Sequence, residues 1–153
     1  MAVLADLQQA GCRAWIGGGW EVDALVGRRT RAHRDLDLAM DAEDETTTLR
    51  VLEKRGYAIE TDWRPVRVEL ARPTVGWVDL HPVTFNQTGH GRQTDLTGGY
   101  FEYPPEAFTH GSLGGFMVAC LSRGQQLRFH QGYQLRTVDL HDLRLLSEQP
   151  DSC

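Results

Sequence analysis

Residues 35 to 40 read Asp-Leu-Asp-Leu-Ala-Met, and this alternation constrains the fold more than any other stretch of the chain. Successive side chains of a β-strand point to opposite faces, so Leu36, Leu38 and Met40 form one apolar face. Asp35 and Asp37 are then neighbours on the other face, roughly 6.6 Å apart along the strand. Two carboxylates side by side in a partly dry site repel, and each raises the other's pKa. A divalent cation removes the conflict, because Mg²⁺ is held by one or two carboxylates together with phosphate oxygens and water. A third carboxylate from another strand would complete a site for two metal ions, typically about 3.5–4 Å apart. Asp79 is the leading candidate: it sits among apolar strand residues, on the face away from Val78 and Leu80. Glu69 is the reserve. The competing reading is that Asp35 and Asp37 mark only the solvent face of an edge strand.

The segment before this strand reads "AWIGGGWEVDALVG", residues 14 to 27. Ala14 to Ile16 suits a short strand, the glycines a tight turn, and Trp20 to Val26 a helix ended by Gly27. Glycines at a helix start let backbone N–H groups approach a phosphate, and the helix dipole favours the anion. A plain tight turn is the alternative. The run is neither a Walker A loop nor a G-x-G-x-x-G fingerprint, since the lysine and the second glycine spacing are missing. Arg28, Arg29, Arg31 and Arg34 follow in a basic loop. They read either as phosphate contacts, with Arg31 the first choice, or as a solvated loop balancing nearby acids. His33 is expected to orient the loop or a carboxylate by a hydrogen bond, because Mg²⁺ prefers oxygen ligands.

The rest of the chain supplies the frame. A helix is expected over Ala2 to Ala10, and another over residues 41 to 55, with acids first, basic residues last and Gly56 beyond. "YAIETDW", "VRVELAR" and "GWVDLHPVTF" read as successive strands. Residues 86 to 115, rich in Gly, Thr, Asn and Gln, read as irregular structure or short strands lining an acceptor cleft. "GGFMVACLS" gives a strand into Ser122, whose capping-box pattern opens a helix ending near Gly132. The last helix is expected from about Asp139, with Leu140, Leu143 and Leu146 on one side.

At 153 residues, 41% hydrophobic and 24% charged, the chain fits one globular domain over residues 1–153 with a substantial core. The C-terminal helices, about 120–148, are expected to pack on it. The formal charge of -5 argues against bulk affinity for nucleic acid and suits a cationic acceptor. No apolar run is long enough to span a membrane, and the first residues do not resemble a signal peptide. Cys12, Cys120 and Cys153 form neither a disulfide framework nor a zinc pattern. A cytoplasmic protein is the expectation.

It is the combination of motifs that is specific. "WIGGGWEVDALVGRRTRAHRDLDLAM" resembles the core signature of the antibiotic nucleotidyltransferases of the DNA polymerase β-like superfamily. The similarity is to the lincosamide nucleotidyltransferases and the aminoglycoside 2''-nucleotidyltransferases. "VDLHPV" resembles the strand that gives their third carboxylate, and "QLRFHQGY" with "DLHDLRLL" resembles the C-terminal part of the lincosamide type. The resemblance implies an α+β fold with a mixed sheet flanked by helices. It implies that Asp35 and Asp37 coordinate Mg²⁺, with two ions expected, and that Asp79 is a third metal ligand or the general base. Gly18 and Gly19 would face the phosphates of a nucleoside triphosphate, usually ATP, with Arg31 and His33 beside them.

The implied reaction is attack of a small-molecule hydroxyl on the α-phosphorus, with pyrophosphate released. His81, His130, Tyr133 and Glu69 are candidate substrate contacts. Trp20, Trp77 and Phe129 read either as stacking platforms or as core. The short chain leaves little room for an acceptor-binding domain, so a homodimer completing the cleft is one expectation. Two other readings stay open: a protein or tRNA acceptor on the same fold, and a non-catalytic nucleotide-binding domain. A tRNA acceptor would call for a basic groove, and only residues 28 to 34 are locally basic.

Overall fold

The computed structural model describes residues 2 to 148, and it places the Asp35–Asp41 strand (β2) inside a nine-stranded mixed sheet. The other strands are β1 (Ala14–Ile16), β3 (Ala58–Trp63), β4 (Arg67–Arg72), β5 (Gly76–Phe85), β6 (Gly91–Thr94), β7 (Tyr100–Tyr103), β8 (Phe108–Leu113) and β9 (Phe116–Leu121). They run in the order β3-β4-β5-β2-β1-β9-β8, with β6 added to β5 and β7 to β6. β2 is parallel to β5 and β1 is parallel to β9, while the other pairs are antiparallel. Five α-helices accompany them: α1 (Ala2–Gln9), α2 (Gly18–Val26), α3 (Glu45–Lys54), α4 (Arg123–Phe129) and α5 (Thr137–Ser147). The architecture is the α+β arrangement of a mixed sheet flanked by helices. Among the described residues, no helix is long and apolar enough to cross a membrane.

The period-two pattern of β2 sorts its residues between two cores. Leu38 and Met40 are fully buried with Val3 and Leu7 of α1, Ala24 of α2 and Leu52 of α3, and Leu36 packs at the margin of this cluster. Ala39 turns the other way, into a second cluster with Val83, Tyr103, Ala107 and Leu121. Each buried leucine contributes about 1.5–3 kcal/mol. A one-residue slip of β2 would exchange these leucines for carboxylates, so the pattern fixes the register. That register places Asp37 opposite Asp79 on β5, and Glu69 of β4 opposite Asp79 on its other side.

Of the two readings of residues 86 to 115, short strands hold: β6, β7 and β8 lie there, each paired across a nearby turn. The structure departs from the sequence expectation in two places. Helix α2 starts at Gly18, so two glycines form its first positions instead of preceding it. Helix α5 starts at Thr137, and its buried face is Asp139, Asp142 and Leu146, while Leu140 is 55% exposed. The apolar spacing misjudged this face because Asp139 and Asp142 meet arginines. Cys12 and Cys120 are buried and free; Cys153 lies outside the described residues.

Strand β8 approaches α2 closely at Gly111. A Cβ there would stand 2.5 Å from the Ala24 carbonyl oxygen and 2.6 Å from its carbon. Both are backbone atoms of a helix that cannot yield without moving the cleft wall. Gly111→Ala is therefore expected to destabilise the fold by about 1–3 kcal/mol, read as a lower urea midpoint.

Candidate active site

The carboxyl-bearing face of β2 and β5 opens into a cleft of about 720 Å³. Gly18, Gly19, Arg31, His33, Asp35, Asp37, Asp79, His81, His130 and Tyr133, all expected at the site, line this one cavity. Glu69 does not. It lies one strand further out, its carboxylate 3.8 Å from Arg34, which also reaches Asp35 at 3.7 Å.

Asp35 and Asp37 project from β2 on the side away from Leu36 and Leu38. Burial, and then the charge of Asp37, raise the Asp35 carboxyl above its ordinary pKa. Asp79 is almost fully buried and is pushed up to about 6, chiefly by burial; the charges of His81 and Arg67 partly offset this. Arg67 donates to Asp79 Oδ2 at 2.5 Å, while Asp79 Oδ1 is buried with no partner. His81 Nε2 lies 3.5 Å from Asp37 and 3.8 Å from Asp79. Single donor atoms of Asp37, Asp79 and His81 lie within 4.8 Å of one another. Carboxylates opposed in register destabilise a sheet unless a cation intervenes. The orphaned Asp79 oxygen and the oxygen-rich donor set therefore fit a hard divalent ion.

The second wall is the start of α2. Gly18 and Gly19 occupy its first two helical positions, whose N–H groups have no acceptor within the helix. Gly18 has φ +60, and a Cβ on it would run into the Asp37 carboxylate. A Cβ on Gly19 would meet Arg31 and, at 2.5 Å, His33 Nδ1. The glycine run is thus required by close approach of β2 and of the basic loop, whatever it binds. Asp23, buried on α2, holds that loop: it accepts from the Thr30 N–H at 2.9 Å, the Thr30 hydroxyl at 2.6 Å and His33 Nε2 at 2.6 Å. Trp20 closes over the His33 ring, with centroids 4.5 Å apart, so it serves as packing. Trp77 stacks under Arg34, and its indole N–H donates to Glu60 at 2.8 Å.

Helix α5 forms the third wall. Arg31 forks onto Asp142 with bonds of 3.1 and 2.7 Å, which ties the basic loop to the C-terminal helix. The guanidinium expected at a phosphate is thus held by a carboxylate in this structure. His130 donates from Nδ1 to the Gln126 carbonyl at 2.9 Å and is nearly buried, whereas Tyr133 stands half exposed at the rim. Sequence reasoning missed Asp23, Asp142, Arg67, Gln93 and Tyr103. Arg67 was legible as the same-face neighbour of Glu69. The others depend on contacts across 7 to 111 residues, as in the Thr30–Asp23 and Arg31–Asp142 bonds, and left no local signal.

Glu21 lies under the cleft, wholly buried on α2, and neither carboxyl oxygen has a partner. Its pKa stands well above the ordinary value because of burial first, then the charges of Asp37 and Asp142. The native state keeps this proton above pH 4.5 while the unfolded chain releases it, so stability falls as pH rises past 4.5. Glu21→Gln is expected to be more stable than the wild type at about pH 8, read as a higher melting temperature. The two should converge below pH 4.5 in melting curves taken across pH.

Comparison with known proteins gives the family. The family model of the aminoglycoside-2''-adenylyltransferases matches residues 1–146. The chain belongs to that family. A lincosamide resistance protein of Staphylococcus haemolyticus is 36% identical over 132 residues, covering 86% of this chain and 82% of the relative. A 2''-aminoglycoside nucleotidyltransferase of Escherichia coli is 39% identical over 54 residues, 35% of this chain and 30% of that protein. Among solved structures, a lincomycin-bound lincosamide antibiotic adenylyltransferase superposes with a TM-score of 0.87 at 33% identity, covering 96% of this chain and 93% of that one. ANT(2'')-Ia in complex with adenylyl-2''-tobramycin shares the fold at a TM-score of 0.75 and 22% identity, covering 94% and 83% of the two chains. This member of the aminoglycoside-2''-adenylyltransferase family is an enzyme, a nucleotidyltransferase.

Proposed function

We propose that this nucleotidyltransferase moves AMP from ATP onto a hydroxyl of a small-molecule antibiotic, with lincosamides favoured over aminoglycosides as acceptors. The observation that carries the acceptor class is the similarity to a lincomycin-bound adenylyltransferase over nearly the whole chain. The 2''-aminoglycoside relative matches a much shorter stretch.

In this reading Asp35 and Asp37 hold Mg²⁺, which when bound neutralises the triphosphate and polarises the α-phosphorus. Gly18 and Gly19 offer N–H donors to the phosphates at the positive end of α2. Arg31 and His33 wall this end, and Arg34 supplies a further positive charge beside Asp35. Asp79 accepts the acceptor hydroxyl's proton as the new oxygen–phosphorus bond forms. The bond from the α-phosphorus to the bridging oxygen breaks, and pyrophosphate leaves with the electron pair. Tyr133 at the rim and His81 near the carboxylates line the same cleft, which supports a role for both in meeting the acceptor. Little covalent chemistry falls to the protein, so positioning and preorganised charge supply most of the rate.

The test is incubation with ATP and Mg²⁺ against lincosamides, aminoglycosides and total tRNA, followed by mass spectrometry of each acceptor. A gain of one AMP on a lincosamide, with pyrophosphate in equal amount, is the expected result. AMP on tRNA alone would replace the reading.

A further inference from the structure

We propose that Gln93 fixes the tautomer of His81, placing the ring proton on Nε2 and so keeping the imidazole out of the metal's ligand set. The inference rests on the carboxylate metal site proposed above. It starts from a polar chain that this site does not account for, in which the buried Tyr103 and Gln93 reach the half-buried His81.

Gln93 Nε2 lies 3.2 Å from the backbone carbonyl oxygen of Val66 and 3.1 Å from His81 Nδ1. Its Oε1 accepts from the Tyr103 hydroxyl at 2.6 Å. A backbone carbonyl can only accept, so the amide atom facing Val66 must be the NH₂ group. One amide hydrogen goes to Val66 and the second points to His81. His81 Nδ1 therefore presents a lone pair, and in the neutral ring the proton resides on Nε2. Turning the amide over would set Oε1 against the Val66 oxygen, lone pair to lone pair, with Gln93 only 5% exposed.

The consequence falls on the cluster at the head of the cleft. Asp37, Asp79 and His81 have the composition of a transition-metal triad. With Gln93 in place, however, His81 offers the carboxylates an N–H instead of a lone pair. The ligand set stays all-oxygen, which suits Mg²⁺ and disfavours Zn²⁺, an ion that imidazole binds well. Gln93, two strand pairings away from β2, is thus a positioning residue that sets metal preference through His81 on the intervening strand β5.

The experiment uses the full chain with ¹⁵N-labelled histidine at about pH 8.5, above the ordinary imidazole range. The His81 signals are assigned by their loss in His81→Gln. The wild type should show a protonated-type Nε2 and an unprotonated Nδ1. Gln93→Glu puts an acceptor at Nδ1, moves the proton there and frees Nε2. Its metal-free form should then bind Zn²⁺ about 10–100-fold more tightly in calorimetry, with Mg²⁺ binding little changed. Adding His81→Gln should erase the gain. Should Gln93→Glu not fold, Gln93→Leu gives the same reading, because both tautomers then appear. A wild-type His81 carrying its proton on Nδ1 overturns the proposal, as does a His81 pattern unchanged in the variants. Failure of Mg²⁺ to bind the wild type would instead refute the carboxylate site, and the nitrogen shifts report independently of it.

Discussion

Asp37→Asn is expected to lower turnover by about 10³-fold or more while leaving the melting temperature equal to or above that of the wild type. The two halves of this result have one cause. Asp37 sits two residues from Asp35 and directly opposite Asp79, and after burial its charge is the next cause raising the carboxyls of Asp35 and Glu21. Four acidic groups therefore carry a repulsion that the metal-free fold must absorb. The amide has the same size and removes one charge, so the repulsion falls. The side chain's role in the fold is slight: it is the Asp37 backbone carbonyl that accepts the Gly17 N–H at 2.9 Å, and the carboxylate's contact to His81 is long, at 3.5 Å. Function and stability thus oppose each other at this residue, as they do at sites built to hold charge. Turnover within tenfold of the wild type would remove Asp37 from the metal site. A large fall in melting temperature would mean that the carboxylate holds the fold together.

How much of this was legible in the sequence depended on whether the information was local. The β2 alternation named both the buried leucines and the paired carboxylates, because a strand's two faces are written in consecutive residues. The glycine run that opens α2 was readable for the same reason, although the need for Gly18 and Gly19 to clear Asp37, Arg31 and His33 was not. Arg31 was expected at a phosphate on charge alone; its fork to Asp142 on α5 spans 111 residues and has no spacing rule. Leucine spacing is a poor guide to the face of α5, because its Asp142 is buried against Arg31 of the basic loop and its Asp139 against the helix's own N-cap, Arg136. Gln93 lies in the Gly- and Thr-rich stretch whose sequence fits irregular structure and short strands alike. Its importance comes from a backbone carbonyl at Val66 and a ring at His81 that only the folded sheet assembles.

Asp79→Asn is the second large effect, expected to cut turnover by about 10²–10⁴-fold, the range for loss of a general base. The buried position of Asp79 gives this prediction a pH signature. Its carboxyl is pushed up to about 6, by burial first, against the opposing charges of His81 and Arg67. A base must be ionised to act, so wild-type log(kcat/KM) should decline by about one per pH unit below that point and level off above it. The residual activity of Asp79→Asn should lack this limb. Stability runs the other way. Between the ordinary value of 3.8 and about 6 the native carboxyl holds a proton that the unfolded chain has released. The wild type therefore loses stability as pH climbs through that window, and Asp79→Asn loses less, keeping only the share due to the other raised carboxyls such as Glu21. Glu69→Gln serves as the comparison, since Glu69 shares the register but lies outside the cleft and pairs with Arg34. It should keep both the rate and the acid limb. If Glu69→Gln loses them and Asp79→Asn keeps them, the base is on β4 and the reaction centre lies one strand further from β2 than proposed.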